Sequence, residues 1–160
     1  TVVGVNKGQA GAPGQLKGSF DSSGELGTLQ ANTASGIFGT LRDWDWAGGQ
    51  AVEVAQADQV HTGKATILSN ISGGQVEEYE IEIVKIFPDS QQDGRDYLIT
   101  VTDQRLLAAT GGIVQGMSGS PILQDGRFVG AVTHVLINDP TCGYGISAQR
   151  MLSAADQAAG

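Results

Sequence analysis

Lys64-Ala65-Thr66-Ile67-Leu68, then Ser72-Gly73-Gly74-Gln75, then Tyr79-Glu80-Ile81-Glu82-Ile83-Val84-Lys85-Ile86-Phe87 read together as a β-hairpin. The first and last runs are rich in β-branched and aromatic residues, and the Gly-Gly pair between them supplies a tight turn. In the second arm apolar and acidic residues alternate with the period of two that a half-buried strand requires. Ile81, Ile83 and Lys85 fall on one face, and Glu80, Glu82 and Val84 on the other.

Outward from this hairpin the same grammar repeats. Upstream, Thr1–Val5, Gln15–Phe20, Gly36–Leu41 and Ala51–Ala55 are short strand candidates separated by glycine-rich punctuation. Downstream, Asp96–Thr102 is the next strand, and Ile122–Val132 forms a hairpin that turns on Asp125-Gly126. Only Ser147–Ala158 has helical character, with Ser147 placed to cap its N-terminus. Short strands without βαβ alternation predict an all-β barrel or sandwich with a C-terminal helix. No repeat, low-complexity tract or linker divides the 160 residues, which suit one domain or two small fused lobes.

Bulk properties exclude several classes. A net charge of -8, from 17 acidic against 9 basic residues, leaves no cationic patch to displace counterions from nucleic acid. The single cysteine, Cys142, rules out an internal disulfide and reads as a small buried residue. No apolar run approaches the roughly 20 residues that span a bilayer. Thr1 fits either removal of an initiator Met or a processed fragment.

Minor features read blandly. Trp44 and Trp46 form an amphipathic loop lid, with a ligand clamp as the alternative. Glu77, Glu78, Glu80 and Glu82 form a solvated strand face, since no calcium-loop pattern accompanies them. No His/Cys/carboxylate cluster has ligand spacing, so no metal or organic cofactor is implied.

The stretch Gly116-Met117-Ser118-Gly119-Ser120-Pro121 is different in kind. A serine hydroxyl needs a base for its proton and pre-aimed N–H donors for the oxyanion. Gly116 can take the backbone angle that points its N–H into a hole beside the N–H of Ser118. Gly119 keeps side chains away from the scissile carbonyl, and Pro121 directs the chain into a strand. The pattern thus describes a trypsin-type nucleophile loop. The competing Gly-x-Ser-x-Gly elbow fails because Ser120 stands where glycine is needed. A Gly/Ser-rich turn without chemistry is the alternative.

With Gly111–Ile122, Gly130–Val135 and Asn138–Thr141, the chain resembles the peptidase domain of the SpoIVB family of sporulation serine peptidases. Gly14, Gly36–Leu41, Glu80–Ile83 and Val101-Thr102-Asp103 extend the likeness to nearly the whole chain. The resemblance implies a chymotrypsin-like double β-barrel, incomplete at its N-terminus, acting outside the cytoplasm. Full-length members carry a membrane anchor and a PDZ domain. They cleave themselves and a membrane-embedded partner, which releases an intramembrane protease that processes a pro-sigma factor. Ser118 takes the nucleophile position, Gly116 and Ser118 the oxyanion hole, and Asp103 matches an acidic position of the catalytic group. Thr133 and His134, on the strand after the nucleophile hairpin, are expected to line the substrate cleft.

The family's catalytic histidine belongs to a segment upstream of the region matching Thr1–Ala12, so the base is expected to be missing here. Of the two histidines, His61 precedes the serine in trypsin order but reads as an exposed turn residue. His134 as base would reverse that order. Asp103 could instead cap a strand end, with Asp43 and Asp45 as alternative orienting acids. Two functions therefore stand side by side: an endopeptidase acting on a protein or peptide substrate, and a peptidase-like fold kept as a binding module. An open sheet edge would also invite a second copy, making a homo-oligomer.

Overall fold

The computed structural model describes residues 1–20, 24–42, 49–88 and 94–159. Trp44, Trp46, Asp43 and Asp45 lie outside these residues. Ten strands are present among the described residues: β1 (Val2–Asn6), β2 (Gln15–Gly18), β3 (Gly27–Thr33), β4 (Gly36–Leu41), β5 (Gly63–Ser72), β6 (Gln75–Ile86), β7 (Tyr97–Val101), β8 (Pro121–Gln124), β9 (Arg127–Leu136) and β10 (Asp139–Ser147). Two helices complete the fold, α1 (Gln104–Thr110) and α2 (Ala148–Ala159).

Six strands close into an antiparallel barrel in the order β10-β7-β6-β5-β8-β9. Alternation fills it: Ala65 and Ile67 of β5, Tyr79, Ile81 and Ile83 of β6, and Tyr97, Ile99 and Val101 of β7 all point inward and are buried. Of the two barrels expected, the described residues close this one. β1–β2 and β3–β4 remain two-stranded ribbons beside it.

The two hairpins form as their sequences predict, with β5 and β6 joined at Gly73-Gly74 and β8 and β9 at Asp125-Gly126. Asp125 takes φ 51° and Gly126 φ 75°, the paired left-handed geometry of a two-residue hairpin turn. Three details differ from expectation. The β6–β7 register slips between Ile83 and Lys85, so Lys85 leaves the inward face and lies exposed. Residues 51–55 make no strand; they contribute the Val54–Phe128 bridge, flanked by Ala55 N–H to Phe128 O at 2.9 Å. α1 is a second helix, where the sequence shows helical character only over Ser147–Ala158. Asp103 caps it by accepting from the N–H of Arg105 (2.8 Å) and Leu106 (3.4 Å), and Gly111 ends it in the left-handed conformation.

At the other end, Ser147 caps α2 by accepting from the N–H of Arg150 at 3.3 Å. Buried Asp96 pins the same turn, accepting from Ser147 N–H at 2.8 Å and pairing with Arg150 at 2.8 Å.

Candidate active site

Residues 111–120 run from α1 to β8 and are held on both sides. On the upstream arm, Ile113 N–H donates to Pro140 O (2.8 Å), Gln115 N–H to Gly14 O (2.9 Å), and Leu16 N–H returns to Gln115 O (2.8 Å). Inside the loop, Met117 is buried, with Val114 N–H directed at its sulfur at 3.5 Å. On the downstream arm, Gly119 N–H donates to Val132 O (2.8 Å) and Val132 N–H to Ser120 O (2.9 Å). Ser118 is therefore an exposed residue on a fixed backbone.

Its Oγ donates to Thr133 O at 3.0 Å. That carbonyl is aimed by a bulge. His134 pairs with Tyr144 but Val132 pairs with Gly145, which leaves Thr133 as the extra residue of β9. The Thr133 hydroxyl adds bonds to Gly94 O and, at 3.1 Å, to Tyr144 O. Gly116 has φ 100°, out of reach of most side-chain-bearing residues. Among the described residues, the N–H groups of Gly116 and Ser118 have no protein acceptor.

The other predicted residues lie in separate settings. Asp103 is buried at the start of α1, where its carboxylate accepts from Glu80 N–H (3.2 Å) and pairs with Arg105 (2.8 Å). The Arg105 guanidinium, helped by these backbone N–H groups, holds it down to a pKa of about 2. Its bonds among the described residues include neither a histidine nor Ser118. His61 is exposed, with Nδ1 2.9 Å from Thr62 O and Nε2 2.8 Å from Asp125 Oδ2. The exposed His134 makes no hydrogen bond to Ser118 among the described residues. The structure thus joins Ser118, Gly116 and the Thr133 carbonyl, and it ties Asp103 and His61 elsewhere.

The contacts of Gly94 and Gly14 with distant segments, and the burial of Met117 beneath the loop, leave no local signal in the sequence. The α1 cap did leave a signal, an Asp followed after seven residues by Thr110-Gly111-Gly112.

Two amides without a protein acceptor among the described residues, on either side of a buried methionine and beside an exposed serine hydroxyl, form an arrangement that can hold an oxyanion during acyl transfer. Carried on a closed antiparallel barrel, it belongs to the serine peptidases. The chain belongs to the SpoIVB peptidase S55 family, whose family model matches residues 1–152.

Solved structures share the fold. The Rv3671c protease from M. tuberculosis in its active form is 19% identical with TM-score 0.59, and the match covers 90% of this chain and 63% of that one. A serine-to-alanine mutant of Rv3671c from M. tuberculosis H37Rv, in the inactive form, is 19% identical with TM-score 0.59, covering 83% and 64%. The inactive form of the Rv3671c protease is 20% identical with TM-score 0.57, covering 84% and 67%. The chain therefore spans a little under two thirds of the first of these mutant and active-form chains. No curated protein matches it.

Proposed function

We propose that this chain is the nucleophile-bearing part of a serine endopeptidase. The observation that carries the reading is Ser118 itself, exposed between two backbone-anchored arms with the amides of Gly116 and Ser118 beside it. Ser118 Oγ forms the bond to the scissile carbonyl carbon as its proton passes to a base, and the carbonyl oxygen takes the negative charge between the two amides. Collapse breaks the C–N bond, the base returns the proton to the leaving amine, and water then hydrolyses the acyl-enzyme. Thr133 and His134 line the cleft, with the Thr133 carbonyl at its rim. The base comes from outside these 160 residues, a reading supported by His61, whose two ring nitrogens both face other acceptors.

By family membership the activity extends to self-cleavage and to a membrane-associated partner in sporulation signalling, outside the cytoplasm. Among the described residues no helix is long and apolar enough to cross a membrane. The outer edges of the β3–β4 ribbon are unpaired among the described residues, which supports pairing with a second copy. Light scattering tests that point, and a clean monomer removes it.

The test of the main reading is Ser118→Ala in the full gene product, assayed on peptides and with a fluorophosphonate probe. Peptide cleavage should fall by about 10⁴-fold or more, and labelling should vanish. Unchanged cleavage in Ser118→Ala would remove Ser118 as the nucleophile, and a parent protein that neither cleaves nor labels would leave the second reading, a peptidase-like fold serving as a binding module.

A further inference from the structure

We propose that Ile113 closes the pocket for the side chain preceding the scissile bond, so that the enzyme cuts after glycine, alanine or serine. This rests on Ser118 being the nucleophile.

A peptide that acylates Ser118 places its carbonyl carbon at Oγ and its oxygen at the Gly116 and Ser118 amides. The side chain just before the cut must then enter the space bounded by loop residues 112–116, by β9 beyond Thr133, and by the start of β10. Backbone bonds fix all three walls. Ile113 N–H is held by Pro140 O at 2.8 Å, and Val135 of β9 pairs with Gly143 of β10.

The space between these walls is occupied. Ile113 is 2% exposed, and Val135 packs against the same core. A Cβ built on Gly143 would lie 2.6 Å from Ile113 Cδ1 and would also collide with His134 O, so the isoleucine sits directly on bare β10 backbone. Glycine at 143 makes room for this enzyme's own side chain and leaves none for a long substrate side chain. The walls also lack the charge that would reward a basic residue. Residues 112–116, 133–136 and 140–143 contain no Asp, Glu, Lys or Arg. A space filled by Ile113, between walls that carry no Asp, Glu, Lys or Arg, accepts small uncharged side chains and rejects Phe, Leu, Lys and Arg by exclusion.

The experiment uses the full gene product and peptidyl boronic acids that differ only in the residue next to boron, alanine or phenylalanine. Adducts at Ser118 are scored by intact mass and by inhibition constant. The alanine boronate should bind about 10-fold or more tightly than the phenylalanine one. Ile113→Val trims the atom that lies over Gly143 and should narrow that ratio, and Ile113→Ala should narrow it further or invert it. Ile113→Val keeps the test decisive if Ile113→Ala fails to fold. Equal binding of both boronates by the parent enzyme, or a ratio unmoved in Ile113→Val, overturns the proposal while leaving Ser118 as nucleophile. Failure of every boronate to form a Ser118 adduct overturns the assignment of Ser118 and this proposal with it.

Discussion

Asp103 and His61 are two of the side chains whose ionisation the fold has set, in opposite directions. Asp103 is held to a pKa of about 2, first by Arg105 and then by the backbone N–H groups of Glu80, Arg105 and Leu106. A depressed carboxylate adds stability that is complete above its unfolded value near 4 and is lost as pH falls through about 2. Arg105 is 63% exposed, which screens the pair and leaves a contribution of roughly 1–2 kcal/mol. Asp103→Asn should therefore lower stability by about 1 kcal/mol at neutral pH, with the difference shrinking toward pH 2 in urea melts. A difference that persists undiminished at pH 2 would assign the loss to packing rather than charge. His61 runs the other way. Both its nitrogens face acceptors, Thr62 O and Asp125, so only the imidazolium can donate to both. The Thr62 carbonyl first and Asp125 second raise its pKa above 6.5. A raised histidine contributes stability that is complete below about 6.5 and is lost as pH rises through the folded value. NMR titration should place His61 above 6.5, with Asp125→Asn moving it back; a midpoint at or below 6.5 in the parent would sink the assignment.

Among the elements, the loop that carries Ser118 depends on a neighbour far away in sequence. Gly14 O receives Gln115 N–H, and a Cβ on Gly14 would strike Asn6 O, Gly8 N and, at 2.7 Å, Val114 Cγ1. Gly14→Ala cannot be absorbed by a rotamer, because two of the three obstacles are backbone. It should destabilise by about 1–3 kcal/mol in denaturant melts and slow fluorophosphonate labelling of Ser118 in protein that remains folded. Labelling at the parent rate would uncouple the β1–β2 ribbon from the nucleophile loop. The same pattern explains what could be read in advance. The β5–β6 and β8–β9 hairpins were legible because alternation and Gly-Gly or Asp-Gly turns are local signals. So was the turn at Gly116–Pro121, where Gly116 and Gly119 take the positive φ that their place in the motif suggested. α1 was not, since seven residues fall below any helical periodicity window, although Asp103 and Gly111 marked its ends. β10 was hidden by Pro140, Gly143 and Gly145, residues poor in strand propensity. Gly143 is there because the β9 backbone and Ile113 come too close for a side chain, which only the folded partners reveal. The outward turn of Lys85 likewise depends on a register slip against β7.

Across the whole molecule, stability should divide between barrel and ribbons. Six strands paired in a closed ring leave no edge from which unzipping can start, and fully buried Ile67, Ile83 and Ile99 fill the interior. The β3–β4 ribbon pairs only with itself among the described strands and leans on α2. Leu29 and Ile37 on it are 58% and 68% exposed. An apolar face left open contributes little of the burial energy that resists opening. Hydrogen exchange at low protein concentration should therefore find β5, β6 and β7 amides exchanging only through global unfolding. Amides of β3 and β4 should exchange on the order of 10²-fold faster through local opening. Raising the concentration distinguishes what covers the ribbon. If a second copy pairs with its edge, the β3–β4 amides slow as the dimer fills, while the barrel amides hardly change. Protection of the ribbon equal to that of the barrel, at every concentration, would mean that its exposed leucine and isoleucine are already covered within one molecule, and the division of stability argued from barrel closure would be wrong.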